Sequence, residues 1–170
     1  MLKQLGSLLL VAVLYGVSTQ GNYVQASDSL KTAIGATIDN MHLAASKGDK
    51  AAYLGAFTEN AVFMGTDDWE RWSRPEQFDQ YVSEHFKDGQ GWSYRSLERH
   101  INLAADGNTA WFDEIIFSDK WGKFRGTGVL LMVDGKWRIA HYSMAFLVPN
   151  EVWEQVSEIS SKAFAERDKQ

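Results

Sequence analysis

The sequence predicts an α+β fold in which a curved antiparallel meander of four strands, plus one short strand, is covered by three N-terminal helices, with an extra helix at the C-terminus. Three observations support this class. Apolar residues recur at helical spacing before residue 58 and again over residues 74–87. Residues 92–147 are instead rich in β-branched and aromatic side chains, and Asp-Gly pairs that signal hairpins interrupt them. A last amphipathic segment follows Pro149.

The N-terminus is predicted to be a bacterial Sec-type signal peptide spanning residues 1–26. Lys3 precedes an apolar run over residues 5–17, which is shorter than the roughly 20 residues of a membrane-spanning helix. Val24-Gln25-Ala26 suits cleavage after Ala26, with an earlier cut near Thr19 as the alternative. We therefore expect a periplasmic or secreted protein.

Composition excludes several classes of function. The chain has no cysteine, so it forms no disulfide, carries no lipid on cysteine and uses no thiolate. After cleavage, the chain has 16 Lys and Arg residues and 22 Asp and Glu residues. This acidic balance argues against nucleic acid and anionic membranes as partners. The four histidines lack the paired spacing of a metal site, so neither a metal nor another cofactor is expected.

The N-terminal half predicts three helices and a strand. The first helix covers residues 30–47, and Asp49 caps a short second helix that ends near residue 57. A strand over residues 61–64 runs into a polar turn, and a third helix spans residues 74–87. Ser73 and Glu76 are predicted to form the capping box of that helix.

The C-terminal half predicts the meander. Its strands are expected at about 92–104, 109–118, 123–133 and 136–147, each paired with its neighbour in sequence. Strands of this length must twist, so the sheet should curl into a half-barrel with the helices on its concave face. The predicted domain covers residues 27–150. Residues 151–170 are predicted to form a helical extension with apolar positions at Val152, Val156, Ile159 and Ala163.

Several short motifs occur in a characteristic order. They are Gly65-Thr66-Asp67, Glu70-Arg71-Trp72, Gly91-Trp92-Ser93-Tyr94, Arg99-His100-Ile101, the run from Gly107 to Glu114, Arg125-Gly126-Thr127-Gly128 and the run from Gly135 to Ala140. With the order of the elements, they resemble the SnoaL-like branch of the nuclear transport factor 2-like (NTF2-like) superfamily. This resemblance implies a cone-shaped fold with a pocket between sheet and helices, a small-molecule ligand, and a homodimer through the outer face of the sheet.

Two adjacent carboxylates are candidates for acid or base chemistry. Asp113 and Glu114 follow each other on the second meander strand, so their side chains point to opposite faces. We expect Asp113 to point inward, where an apolar cavity would raise its pKa toward neutrality. The alternative is a structural ion pair with Arg95, Arg99 or Arg125 on a neighbouring strand.

The last strand supplies two further candidates. His141 and Ser143 share strand parity with Trp137, so an inward Trp137 predicts that His141 reaches the pocket and exchanges protons there. Ser143 would line the pocket beside it. The alternative is a hydrogen-bonded core histidine or a residue of the dimer face.

Three residues are candidates for ligand binding by their chemistry. Trp72 and Trp111 could provide flat apolar walls. Arg125, between Gly126 and Gly128, could bind an anionic group of the ligand or pair with a carboxylate.

Three hypotheses for function follow. The preferred one is an exported domain that binds a small, largely apolar molecule with Trp72, Trp111, Arg125 and His141. The second is a cofactor-independent acid/base enzyme of isomerase, dehydratase or hydrolase type, with Asp113 or Glu114 as base and His141 as partner. The third is a homodimeric interaction module that works through the sheet.

Overall fold

The computed structural model describes residues 9–169, with side chains from residue 27 onward. Residues 1–8 of the predicted signal peptide lie outside the described residues. The backbone of the remainder belongs to the first helix, α1, which spans Leu9–Ser46 and so begins well before the predicted start at residue 30. The apolar run that marks a signal peptide also favours helix, which explains the longer element. The signal peptide and its cleavage site stay predictions.

The other helices lie close to their predicted positions. They are α2 (Lys50–Gly55), α3 (Glu76–His85), a short 3-10 helix (Asn150–Val152) and α4 (Trp153–Arg167). Asp49 caps α2 as predicted, since its carboxylate accepts a hydrogen bond from the Ala52 amide at 3.0 Å. The predicted capping box of α3 is wrong. The Ser73 amide instead donates to the Gln77 side chain at 3.2 Å.

Six strands form one sheet. They are β1 (Phe57–Met64), β2 (Arg71–Ser73), β3 (Arg95–Leu103), β4 (Thr109–Ser118), β5 (Gly122–Val133) and β6 (Lys136–Phe146). Their order is β2-β1-β6-β5-β4-β3. The predicted meander of β3 to β6 is therefore confirmed, and β1 runs parallel to β6. Strand β2 was not predicted, because its three residues lie within the polar turn.

The core lies between the concave face of this sheet and the first three helices. Ile34 and Ile38 of α1 and Phe78 of α3 are completely buried there. Inward side chains of the strands, such as Phe112 and Ile139, meet them from the sheet. This arrangement is the predicted α+β cone.

A β-bulge interrupts the alternation of β6. Leu130 pairs with Ile139, but the preceding residue Val129 pairs with His141, so Ala140 is the extra residue. Trp137 and Ile139 are buried before the bulge, and Tyr142 is buried after it. The inward positions of β6 therefore change parity at Ala140.

Helix α4 follows the sheet but hardly packs on it. Val152 and Ile159 of the predicted apolar stripe are exposed, Ile159 to 69%. Arg167, at the end of the helix, forms ion pairs with Asp67 at 2.8 Å and Asp68 at 2.7 Å. The division into a domain and an extension stays a prediction.

Within residues 9–169, none of the helices has the length and apolar content needed to span a membrane.

Candidate functional site

A cavity of about 560 Å³ opens between the helices and the concave face of the sheet. Its wall is mostly aromatic and aliphatic. The lining residues are Met41, His42, Ala45, Tyr53, Phe63, Gly65, Thr66, Glu70, Trp72, Tyr81, Trp92, Tyr94, Trp121, Phe124, Tyr142, Met144 and Phe146. The volume falls within the range of small-molecule pockets, about 300–1,000 Å³.

Packed rings form one side of the cavity. Trp72 of β2 stacks on Tyr81 of α3 with their centroids 3.9 Å apart, and Tyr81 lies nearly parallel to Trp92 at 5.6 Å. Trp72 thus lies in the cavity wall, and its predicted role in ligand binding stays a prediction. Rings held by such contacts offer a rigid apolar surface to a ligand.

His42 carries the titratable imidazole in this wall. It lies on the apolar face of α1, one residue after Met41, and its Nε2 is 2.8 Å from Oε1 of Glu114. Among the described residues, Nδ1 of His42 has no hydrogen-bond partner, and it is not among the fully buried unpaired atoms. We infer that this second ring nitrogen faces the cavity, because the His42 side chain lines it.

Glu114 fixes this imidazole from behind. Its side chain is fully buried in β4, and Oε1 also accepts a hydrogen bond from the Tyr142 hydroxyl at 3.0 Å. Oε2 accepts two more from Arg99, at 3.0 and 2.7 Å, and Arg99 in turn pairs with Asp39 at 2.8 Å. Each carboxylate oxygen of Glu114 thus has two donors.

These partners decide the ionisation of the cluster. Burial by itself raises the pKa of Glu114, but the hydrogen bond from His42 and the charge of Arg99 outweigh it, and the pKa falls below its ordinary value of 4.5. Burial and the adjacent carboxylate raise the pKa of Tyr142 well above its ordinary value. At neutral pH Glu114 is therefore a carboxylate and Tyr142 a neutral donor.

The cluster also sets the tautomer of His42. An ionised carboxylate only accepts hydrogen bonds, so Nε2 of His42 must carry a proton. In the neutral imidazole this leaves the lone pair on Nδ1, which faces the cavity. Histidines that act as general bases in catalytic triads are oriented by a buried carboxylate in the same way.

The prediction that Asp113 points inward is wrong. Glu114 faces the interior, and Asp113 lies half-buried on the outer face, between its strand partners His100 and Thr127. The alternative that the inward carboxylate pairs with an arginine is confirmed for Glu114 and Arg99. Periodicity alone did not decide which of the two carboxylates points inward, because Asp113 and Glu114 each share strand parity with an aromatic residue and an isoleucine.

His141 and Ser143 do not reach the cavity, so their predicted inward placement is also wrong. They alternate with Tyr142 and Met144, which line it, and therefore point to the outer face. The physical reason is the bulge at Ala140, which reverses the parity that Trp137 begins.

Trp111 and Arg125 lie on the outer face of the sheet as well. Trp111 is 48% exposed. Arg125 is exposed opposite Ile115 and Ala145, and it forms no ion pair with any described residue. Neither contributes to the cavity, which corrects both as ligand-binding candidates. The predicted homodimer through this face stays a prediction.

Sequence reasoning missed the residues that do form the polar part of the site. His42 was considered only as a metal ligand, although it lies on the apolar stripe of Ile38, Met41 and Ala45. A second signal lay in β5, where Gly126 and Gly128 pair with Glu114 and Phe112 and leave room for them.

Within residues 27–169, no three His, Asp or Glu side chains are arranged to hold a metal ion.

Comparison with protein families gives one match. The sequence model of the family described as SnoaL-like domain matches residues 34–149, which include β1 to β6 and both His42 and Glu114. The comparison with curated protein sequences gives no match.

Solved structures share the fold at low sequence identity. An NTF2-like protein of unknown function from Pseudomonas putida is 11% identical, with a TM-score of 0.61 over 74% of this chain and 92% of that chain. A candidate scytalone dehydratase from Novosphingobium aromaticivorans is 10% identical, with a TM-score of 0.60 over 74% and 93%. A candidate ketosteroid isomerase from Parabacteroides distasonis is 16% identical, with a TM-score of 0.56 over 68% and 86%.

Proposed function

This chain belongs to the SnoaL-like domain family, and we propose that its cavity binds a small, largely apolar molecule that donates a hydrogen bond to His42. The observation that carries the proposal is an aromatic cavity of about 560 Å³ with one open imidazole nitrogen in its wall. Apolar walls with a few placed polar groups are typical of ligand sites. The walls supply affinity, and the polar group sets orientation.

The polar contact follows from the state of the imidazole. In the neutral imidazole, Nε2 donates its proton to Glu114, and Nδ1 is an acceptor that has no partner among the described residues. A ligand hydroxyl or N–H group would satisfy it, whereas a purely hydrocarbon ligand would leave it without water or a partner. Phenols and aryl amines of one to three rings combine these properties.

The test is a titration with N-phenyl-1-naphthylamine, a neutral dye with an N–H donor whose fluorescence rises in apolar sites. We expect saturable 1:1 binding to the wild-type protein. Met144→Trp should weaken it by about tenfold or more, because Met144 lines the cavity and a larger side chain fills the space.

The matched control is Ser143→Trp, which adds a tryptophan at the next residue but on the outer face. We expect this variant to bind the dye like the wild type. No binding by the wild type, or equal binding by both variants, would contradict the cavity as the site. The second outcome would point to a surface such as the exposed side of α4.

Acid/base catalysis is a second candidate function, and a specific observation favours it. Nδ1 of His42 is a base that faces the cavity, and the carboxylate of Glu114 behind it stabilises the imidazolium that proton transfer would form, while Arg99 keeps Glu114 ionised and in place. With no cysteine in the chain, chemistry of this kind fits proton abstraction, isomerisation or dehydration. His42 takes the role of base that was predicted for Asp113 or Glu114, with His141 as the partner.

The test is the exchange of the acidic C–H protons of 2-tetralone with deuterated water, followed by NMR. We expect the protein to accelerate exchange and His42→Gln to remove the acceleration, since a positioned base contributes about 10²–10⁴-fold. His100→Gln, which changes an exposed histidine of β3 outside this cavity, is the control. Equal exchange rates with the wild type and His42→Gln would contradict acid/base catalysis by His42. The ligand-binding proposal would still stand.

The proposed location is the periplasm or the exterior of a bacterial cell, and it is supported by the signal-like pattern of residues 1–26. N-terminal sequencing of the protein recovered from an expressing cell tests it. A mature chain that begins at residue 27 would support export, and recovery of the intact N-terminus from the cytoplasm would contradict it.

A further inference from the structure

We propose that the ligand of this cavity carries a cationic nitrogen, and that the carboxylate of Glu70 is the group that binds it. The proposal rests on the proposed function, because it names the class of molecule that the same cavity takes. Glu70 lies in the loop that joins β1 to β2 and lines the cavity wall.

The loop fixes one oxygen of this carboxylate and leaves the other open. Oε2 of Glu70 accepts hydrogen bonds from the amides of Thr66 at 2.7 Å and Asp67 at 3.1 Å. Gly65 allows this approach, since any side chain there would collide with the carboxylate. Oε1 has no hydrogen-bond partner among the described residues, and it is not fully buried. The backbone thus holds Glu70 with one acceptor free.

Among the described residues, no lysine or arginine pairs with this charge. The residues that line the cavity include neither lysine nor arginine. Within residues 27–169, Glu70 forms no ion pair, while Arg99 behind the cavity is already paired with Glu114 and Asp39. Arg167 is paired with Asp67 and Asp68. Glu70 is therefore an uncompensated negative charge in the wall.

The negative charge of Glu70 also acts on two tyrosines of the cavity wall. Burial raises the pKa of Tyr81 to about 12, and the negative charge of Glu70 adds to the increase. Burial and Glu70 likewise raise the pKa of Tyr94. Both hydroxyls stay neutral at physiological pH, so they add acceptors and no second negative charge.

This distribution selects ligands by charge. A carboxylate or phosphate in the cavity would meet Glu70 without a counter-charge, which is costly in a low-dielectric site. An ammonium group gains an ion pair there, and neighbouring aromatic rings also favour a cation. The overall net charge of −5 acts in the same direction over longer distances.

The test compares two probes of nearly equal shape, (4-hydroxybenzyl)trimethylammonium and 4-neopentylphenol, which differ by a positive nitrogen in place of a carbon. Each is titrated against the protein loaded with N-phenyl-1-naphthylamine, and displacement of the dye gives the affinity. The phenol common to both supplies the donor for His42, so binding of the neutral probe reports on the proposed function alone.

Glu70→Gln is the informative variant, since an amide keeps an oxygen for the Thr66 and Asp67 amides and removes only the charge. We expect it to weaken the ammonium probe about tenfold and the neutral probe less than about twofold. Glu59→Gln is the matched control, because it removes the same charge from an exposed position on β1 outside the cavity. It should leave both affinities within about twofold.

The outcomes separate the two proposals. If the neutral probe binds while the ammonium probe fails to bind, or Glu70→Gln weakens both equally or neither, the inference is overturned and the proposed function stands. If neither probe displaces the bound dye, the inference is likewise overturned, whereas a dye that does not bind the cavity at all overturns both proposals. If Glu70→Gln unfolds at the same temperature as the wild type, loss of the loop conformation does not explain weaker binding of the ammonium probe.

Discussion

Glu114→Gln is the substitution that tests the buried cluster most directly. The amide oxygen of glutamine can accept the two hydrogen bonds from Arg99, and its NH₂ group would then face Nε2 of His42 and the Tyr142 hydroxyl. The imidazole can accept from that NH₂ only if its own proton moves to Nδ1. We therefore expect a folded protein in which the open nitrogen of His42 has changed from acceptor to donor.

The expected cost in stability follows from the contacts that are lost. Glu114 is fully buried and carries the charge that offsets Arg99, whose side chain is only 12% exposed. Removing one partner of a buried ion pair costs about 3–5 kcal/mol, and an amide that keeps the two Arg99 bonds places the loss near 3 kcal/mol. The same carboxylate-to-amide change at exposed positions stays within about 0.5 kcal/mol.

This difference in stability should depend on pH. The folded-state pKa of Glu114 is lowered, so its contribution is fully present above the ordinary value of 4.5 and is lost as the pH falls through the folded value. Glutamine does not titrate. The free-energy difference between wild type and Glu114→Gln should therefore be largest near neutral pH and should shrink in acid.

Urea unfolding followed by tryptophan fluorescence measures the free energy of unfolding, at about pH 7 and again at about pH 3.5. Asp113→Asn is the control, since it makes the same change one residue away on the outer face. A loss below about 1 kcal/mol for Glu114→Gln at neutral pH, or a loss equal to that of Asp113→Asn, would refute the reasoning. So would a difference that does not shrink in acid.

Two further predictions concern packing and surface charge. Gly126→Ala should lower the free energy of unfolding by about 2 kcal/mol, because its Cβ would collide with the Tyr142 hydroxyl. Gly55→Ala has open space and should be neutral in the same urea unfolding assay. Equal effects of the two changes would contradict this packing. The hydrogen bond from Arg167 lowers the pKa of Asp67, so Arg167→Gln should raise it. A carboxyl NMR titration measures this pKa. If the titration finds no rise, Arg167 does not hold α4 at this loop.

The regular elements could be predicted because their signals are local. Asp-Gly turns and alternation set the meander strands to within a few residues, and Asp49 marked the start of α2 by the chemistry of its side chain. Strand β2 and the cap of α3 could not be predicted in this way. Both depend on the pairing of residues 71–73 with β1, which draws Ser73 into the sheet.

The site was harder to predict than the fold. Asp113 and Glu114 have equivalent neighbours along β4, and only the helices that cover one face decide which of them is buried. His141 was misplaced because alternation was extended across a bulge that the sequence of β6 does not announce. Trp111 and Arg125 were chosen by residue type, and residue type does not report which face of a sheet a side chain occupies.

The sequence by itself determined the α+β class, the order of the strands along the chain and the presence of an aromatic-rich interior, since turns and periodicity act over a few residues. Tertiary structure alone decided which side chains meet. His42 and Glu114 are separated by 72 residues, and their contact exists because α1 crosses the concave face where β4 presents a buried acid. Free energies of desolvation and ion pairing depend on such long-range neighbours, which local patterns do not contain.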